Sequence, residues 1–448
     1  MREIWIVNGR LIDPSQGLDG PTNLHIVDGV VAGLGSDEPP WDLPADRVID
    51  AGGRVVCPGF VDLHVHLRQP GYEEKETIAT GTRAAAAGGF TTVVAMPNTD
   101  PTIDSRADVE FVAETARREG VVRVFTMGTV TKAQKSQELS EMADMADAGA
   151  VGFTDDGHVV SNVTLMRNAL DYARMLAKPI AQHCEDPELV AGGFMNEGRI
   201  SALLGLRGNP SAAEESIVAR DIALARLTGG WVHFQHVSTA GAAQMIRAAK
   251  AEGLRVTAEV TPHHLTLTDD WVAGGKWASP GVLERWGRIA THPYDTNTRV
   301  APPLRSERDV EALIQALKDG VFDAIATDHA PHTVVDKECE YGLAANGISG
   351  SETALGALMG LVHRGDLDLG ILVRYLTVEP ATAFNLPYGT LKLGAPADVT
   401  IFDPNEEWTV DPGKFYSKGK NTPLAGVTLK GRVWMTLVNG NVVHPGRR

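Results

Sequence analysis

The chain has 448 residues, more than one domain usually holds, so a core of about 300 residues with a smaller companion is expected. A formal net charge of -16, with no basic stripe to offset it, argues against a nucleic-acid partner or an anionic membrane surface. Three cysteines, Cys57, Cys184 and Cys339, are too few for a disulfide framework; no apolar run is long enough to span a bilayer and no leader-like segment precedes the first strand, so a cytoplasmic chain is expected.

The first residues read as short strands separated by turns: Ile4 to Val7, Arg10 to Asp13 after Asn8-Gly9, Asn23 to Val27, and Val30 to Leu34 after Asp28-Gly29. The last residues follow the same pattern, with strands at Asp398 to Phe402 and Arg432 to Val438, the latter turning at Asn439-Gly440 into Asn441-Val442-Val443. Neither end is large enough to bury a good core alone, so residues 1–54 and 388–448 are expected to form one composite β domain.

Between them, strands alternate with helices. The strands are expected at Val55 to Leu63, Phe90 to Ala95, Val121 to Thr126, Ala150 to Thr154, Pro179 to Gln182, Trp231 to Gln235, Leu254 to Val260 and Phe322 to Thr327. Helices are expected from Glu74 to Ala87, closed by Gly88-Gly89, from Arg106 to Arg118, and from a capping box of Ser211 and Glu214 to Leu227. Eight strands followed by helices predict an α/β fold, a (β/α)8 TIM barrel spanning 55–387, with the small β-sandwich formed by both termini beside it.

Polar residues recur where those strands end. Val61-Asp62-Leu63-His64-Val65-His66 puts two imidazoles on one face of a strand, a good claw for a transition metal. Asp156, His183, His236 and Asp328 follow the fourth, fifth, sixth and eighth strands. A barrel gathers such residues at its C-terminal mouth, so their recurrence points to a metal site there. The adjacent pair Asp155 and Asp156 cannot be separated on residue chemistry alone.

In order, these motifs resemble the amidohydrolase superfamily, and within it the bacterial dihydroorotases that use an aspartate as bridging ligand. The resemblance rests on Pro58-Gly59-Phe60-Val61-Asp62-Leu63-His64-Val65-His66-Leu67-Arg68, Met96-Pro97-Asn98-Thr99, Phe153-Thr154-Asp155-Asp156-Gly157 and His183-Cys184-Glu185-Asp186. Thr261-Pro262-His263-His264 and Ala326-Thr327-Asp328-His329-Ala330-Pro331-His332 continue it. It implies two zinc ions, one held by His64, His66 and Asp328, the other by His183 and His236, with Asp156 bridging them. It also implies that Asp328 shuttles the proton as the catalytic residue, and that His66, Arg68, Asn98 and His332 meet the substrate. Asn346 and Gly347 would close over the ring through backbone groups. Cys184 reads as a packed thiol, and Glu73 is the alternative partner for Arg68.

The activity implied is dihydroorotase, the reversible cyclisation of N-carbamoyl-L-aspartate to dihydroorotate and water in pyrimidine synthesis. Ala301, where the family usually has asparagine before Pro302-Pro303-Leu304-Arg305, also resembles allantoinases, so another cyclic amide hydrolase is the alternative. A different class is a structural partner of aspartate transcarbamoylase, a role that accompanies eroded metal ligands, whereas all six positions are filled here. Relatives are commonly dimers, so a homodimer is expected, with association with aspartate transcarbamoylase as a further partner. The long segment between His264 and Ala301, with Trp277, Trp286, His292 and Tyr294, is expected to shape a lid or a subunit contact.

Overall fold

The computed structural model describes residues 2–446 except 276, 279–281, 284, 285, 287, 288 and 290. Among them, one series of eight parallel strands runs through the middle of the chain: β1 (Phe60–Val65), β2 (Phe90–Ala95), β3 (Arg123–Thr126), β4 (Phe153–Thr154), β5 (Ile180–Gln182), β6 (Val232–Phe234), β7 (Val256–Val260) and β8 (Ala324–Ile325). A short pair at Met195–Asn196 and Gly208–Asn209 is separate from that series. β1, β2 and β3 pair side by side, and β4 through β8 pair in sequence order. Parallel bridges between Gly128 and Phe153 and between Val65 and His329 close the two remaining seams, so the series returns on itself.

Helices follow the strands because local signals start them. Thr77 caps Ile78–Ala87 through a capping box with Thr80, Ser105 caps Arg106–Glu119, and Thr239 caps Ala240–Ala251. Their apolar faces bury Ile78, Val109, Val112, Ala242 and Ile246 against Phe90, Phe153, Phe234 and Val256 of the strands. A second cluster, with Val61, Leu63, Val94, Met127, Ala181 and Ala324, packs against Phe384.

Both chain ends meet in two further sheets. One orders the strands Val30–Gly35, Asn23–Val27, Glu3–Val7 and Val48–Asp50. The other runs from Asn441–His444 through Thr428–Val438 and Val399–Thr409 to Val55–Pro58, Arg10–Asp13 and Leu18–Pro21. Ile4, Ile6, Leu11, Leu24 and Ile26 share one buried cluster with Val399, Ile401 and Leu437. Each end therefore covers apolar surface that the other exposes.

Two local expectations change. The strand expected from Val55 to Leu63 is two strands meeting at Gly59: Val55–Pro58 pairs with Val399–Phe402, whereas β1 pairs with β2. A side chain at 59 would stand 2.2 Å from the Thr91 hydroxyl, so only glycine fits the handover. The Ser211 capping box does not form either. Pro210 precedes the helix Ser211–Thr228 without a side-chain cap, and Glu214 instead accepts hydrogen bonds from the Ser238 and Thr239 amides at 3.1 and 2.9 Å. A buried carboxylate gains more from two orphan amides at the start of the next helix than from its own exposed N-terminus.

Candidate active site

His64 lies near the end of β1 and His66 just beyond it, Asp156 follows β4, His183 follows β5, and His236 and Asp328 stand just beyond β6 and β8. Arg68, His236 and Asp328 adopt left-handed backbone conformations, with φ of 59°, 34° and 47°. Such non-glycine conformations cost free energy and persist where surrounding contacts enforce them.

Candidate ligand atoms of His64, His66 and Asp156 all lie within 4.8 Å of one another, as do those of Asp156, His183 and His236. Asp156 is common to both groups. Its Oδ2 is 3.5 Å from His64 Nε2 and 3.5 Å from His66 Nε2, while its Oδ1 is 3.4 Å from His236 Nε2 and 3.6 Å from His183 Nδ1. Asp328 Oδ1 lies 3.1 Å from His66 Nε2 and 3.6 Å from His64 Nε2. Asp155 turns the other way: it accepts hydrogen bonds from the amides of Val130 and Thr131 at 2.9 and 3.0 Å and from the Thr131 hydroxyl.

The electrostatics favour cations here. Burial opposes ionisation of Asp156, but His64, His183 and His236 outweigh it and hold the carboxyl well below the usual carboxylate range. Burial likewise opposes charge on His183, yet Asp156 and Glu185 push it up to about 10. Two buried polar atoms, His64 Nε2 and Asp156 Oδ1, have no hydrogen-bond partner. They lie in different groups, His64 Nε2 with His66 and Asp156 Oδ1 with His183 and His236, so a cation in each group would satisfy them, and mixed imidazole and carboxylate donors suit zinc; the residues fit a two-metal group.

His66, Asp156, His183, His236 and Asp328 line a cavity of about 220 Å³, with His64 fully buried beside it, and the wall also carries Arg68, Asn98, Ala301, His332, Asn346 and Gly347. Asn98 Oδ1 is 2.9 Å from His66 Nδ1, which leaves the amide N–H groups as its remaining donors. Arg68 donates from Nε to the Pro331 carbonyl at 3.3 Å, and its Nη2 lies 3.2 Å from His332 Nε2. Glu73 is not its partner; that carboxylate accepts from the Gly71 amide. Burial and Arg68 push His332 down to about 2, which keeps the ring neutral. The Asn346 carbonyl meets His332 Nε2 at 2.7 Å, the Asn346 side chain accepts from Arg299, and the Gly347 amide donates to the Arg299 carbonyl. Cys184 is buried, and burial raises its thiol well above the usual range.

Sequence reasoning missed the carboxylates behind the histidines. Glu259 Oε1 is 2.6 Å from His64 Nδ1, and Glu185 Oε2 is 2.9 Å from His183 Nε2. The available signals were an acidic residue inside the β-branched strand Val256–Val260 and the unassigned glutamate of the His183-Cys184-Glu185 motif. His264, by contrast, bridges Thr261 Oγ1 and the Pro302 carbonyl. In the long segment after it, Trp286 packs edge-on against buried Trp271 and donates to the Thr266 carbonyl at 2.9 Å, and the Tyr294 hydroxyl donates to the Leu204 carbonyl at 3.0 Å.

A family model described as Dihydro-orotase-like matches residues 53–242. The chain is 48% identical over 443 residues to a dihydroorotase of Syntrophus aciditrophicus (strain SB), covering 99% of each chain. It is 50% identical over 442 residues to a dihydroorotase of Anaeromyxobacter sp. (strain K), covering 98% of each. Among solved structures, the L-hydantoinase (dihydropyrimidinase) of Arthrobacter aurescens matches with a TM-score of 0.84 at 27% identity, covering 100% of this chain and 97% of that one. With the ordered motifs meeting at one cavity and relatives alike from end to end, the chain belongs to the dihydroorotase family of α/β amidohydrolases.

Proposed function

We propose that the protein is a zinc-dependent dihydroorotase, built as a (β/α)8 barrel over residues 59–387 with a β-sandwich from 1–58 and 388–448, the boundary expected at 54/55 moving to Gly59 because Val55–Pro58 pairs with the terminal strands. The observation that carries this reading is one small cavity holding both the His and Asp cluster and the guanidinium of Arg68. Dihydroorotate brings a cyclic amide and an exocyclic carboxylate, and the cavity offers a matching group for each. Three free thiols, Cys57, Cys184 and Cys339, support a cytoplasmic setting.

His64, His66 and Asp328 would hold one zinc ion, His183 and His236 the other, and Asp156 would lie between them. Bound there, the two ions would acidify a water and polarise the scissile carbonyl. Arg68 grips the exocyclic carboxylate as a planar fork, with Asn98 and His332 adding directional contacts. Asn98 has a second task, because its carbonyl oxygen orients His66. Asp328 takes the proton of the attacking water and delivers it to the ring nitrogen as the C–N bond breaks. In cyclisation the ureido nitrogen attacks the carboxyl carbon, Asp328 receives the nitrogen's proton and passes it to the departing oxygen, and a second proton from solvent completes the water that leaves. The backbone at Asn346 and Gly347 forms the facing wall.

Ala301 favours a second reading, hydrolysis of a neutral ureide, because it presents a methyl group on the cavity wall. Steady-state rates on dihydroorotate, allantoin and dihydrouracil, with zinc measured on the same sample, separate the two. Dihydroorotate is expected to be the best substrate; a preference for allantoin would overturn the assignment.

A further inference from the structure

The histidine ligands proposed above can serve only if each presents a lone pair to the cluster, and an imidazole must be held in one tautomer to do so. For His64 the structure contains a hydrogen-bond chain whose direction can be read from its far end. The Trp231 indole nitrogen, a donor only, lies 2.9 Å from Thr257 Oγ1. Thr257 Oγ1 is 2.9 Å from His233 Nδ1, and His233 Nε2 is 3.2 Å from Glu259 Oε2. The other oxygen, Glu259 Oε1, is 2.6 Å from His64 Nδ1 and accepts from the His236 amide at 3.3 Å.

A carboxylate only accepts, so both histidines donate to it. His233 then carries its proton on Nε2 and takes the Thr257 hydroxyl proton on Nδ1. His64 donates from Nδ1, so Nε2 is the atom aimed at the cluster, where it has no hydrogen-bond partner, and the one that offers a lone pair to a bound cation. Trp231, His233, Glu259 and His64 are nearly inaccessible, at 4%, 1%, 1% and 0% exposure, and Thr257 is half-buried, so water is kept from the links on either side of the Glu259 carboxylate. Strand β7 has no proposed metal ligand of its own, yet it supplies both Thr257 and Glu259.

We infer that Glu259 is a positioning residue, one that sets the His64 tautomer from the end of a chain running through Trp231, Thr257 and His233. The inference rests on the two-zinc reading of the site. It yields a coupling that a simple packing role would not. In Glu259→Gln the amide oxygen can still accept from His64 if its N–H group donates to His233 Nε2. His233 must then move its proton to Nδ1 and give it to Thr257, whose hydroxyl can accept. In Thr257→Val alone the carboxylate still accepts from both rings. In the double variant His233 has no acceptor at Nδ1, keeps its proton on Nε2 and claims the amide oxygen, so the amide N–H faces His64 and drives that proton to Nε2.

The test is zinc titration of the metal-free proteins, with the melting temperature of each checking that it folds. Each single variant should hold zinc within a few-fold of wild type, whereas the double variant should weaken one of the two binding steps by about 10- to 100-fold. The ¹⁵N spectrum of histidine-labelled Glu259→Gln should show one ring exchanging a protonated Nε2 for a protonated Nδ1, a readout that stands even if the double variant does not fold. Additive effects in the cycle, or no ring changing its protonated nitrogen, would overturn the inference while leaving the two-zinc reading intact. If wild type binds no zinc, both fall together.

Discussion

Asp155 and Asp156 are adjacent, both buried and chemically identical, yet their carboxylates have opposite tasks. Asp155 closes the turn after β3 by accepting two amides and a hydroxyl, and Asp156 faces four imidazoles. Asp156→Ala is therefore expected to lose zinc and activity together, by orders of magnitude. Asp155→Ala should retain zinc stoichiometry but lower stability, because each buried amide left unpaired costs about 1–3 kcal/mol. Elemental analysis with thermal melting decides; equal zinc loss in both variants would reverse the assignment. At Arg68, replacement by methionine keeps the apolar stem and removes the fork. Loss of a buried charged contact of about 3 kcal/mol should lower kcat/KM for dihydroorotate by roughly 100-fold. Turnover of neutral dihydrouracil should fall far less, because its transition state never uses the clamp. An equal drop on both substrates at unchanged zinc content would remove Arg68 from carboxylate recognition.

Gly59 is where the element scale is most constrained. Val55–Pro58 belongs to the sheet built by both termini and Phe60–Val65 to the parallel strands, so the chain changes sheets within one residue. The Gly59 amide donates to the Asp398 carbonyl at 2.9 Å, which ties the crossing point to the C-terminal sheet. A β-carbon there would meet Thr91 Oγ1 at 2.2 Å and Cγ2 at 2.3 Å, on a strand that cannot retreat because β1 lies against it. Gly59→Ala is expected to destabilise the protein by about 1–3 kcal/mol, read as a lower urea midpoint, while zinc stoichiometry holds in the folded fraction. An unchanged midpoint would mean that β1 and β2 can shift at little cost. Strands β4 and β8 are only two residues long, so the ligands beyond them depend on neighbours and capped helices more than on ladder bonds.

On the scale of the whole molecule, the terminal sheets and the parallel core are joined through buried polar groups near Ser417. Its hydroxyl donates to Glu76 at 2.6 Å and its amide donates to Glu352 at 3.1 Å. Burial, with nearby Glu76 adding to it, raises Glu352 from 4.5 to about 7. A carboxyl whose folded pKa is raised binds a proton more tightly folded than unfolded, so its contribution to stability falls as pH rises from about 4.5 to about 7. Glutamine cannot ionise. Glu352→Gln should therefore gain stability relative to wild type across that window, seen as a melting-temperature difference that grows with pH and levels off above 7. A difference independent of pH would show that Glu352 does not titrate there.

The sequence by itself determined the order and type of the main elements and five of the six candidate metal ligands, leaving the sixth between Asp155 and Asp156. Strand periodicity, capping residues and turn dipeptides act over a few residues, and ligand residues at successive strand ends are visible as soon as those strands are placed. Alternation along β1, for example, was enough to put His64 and His66 together. The tertiary structure alone decided which of two neighbouring aspartates faces the cluster, that Val55–Pro58 leaves the parallel strands, and that Glu214 serves a neighbouring helix. It alone revealed Glu185 and Glu259 behind the histidines. These outcomes depend on partners far along the chain: Glu259 meets a histidine 195 residues away, and Val55–Pro58 is claimed by a strand beginning at Val399. Local sequence carries no record of which distant group will arrive, and in a buried site the arriving partner determines where each carboxylate and each proton must lie.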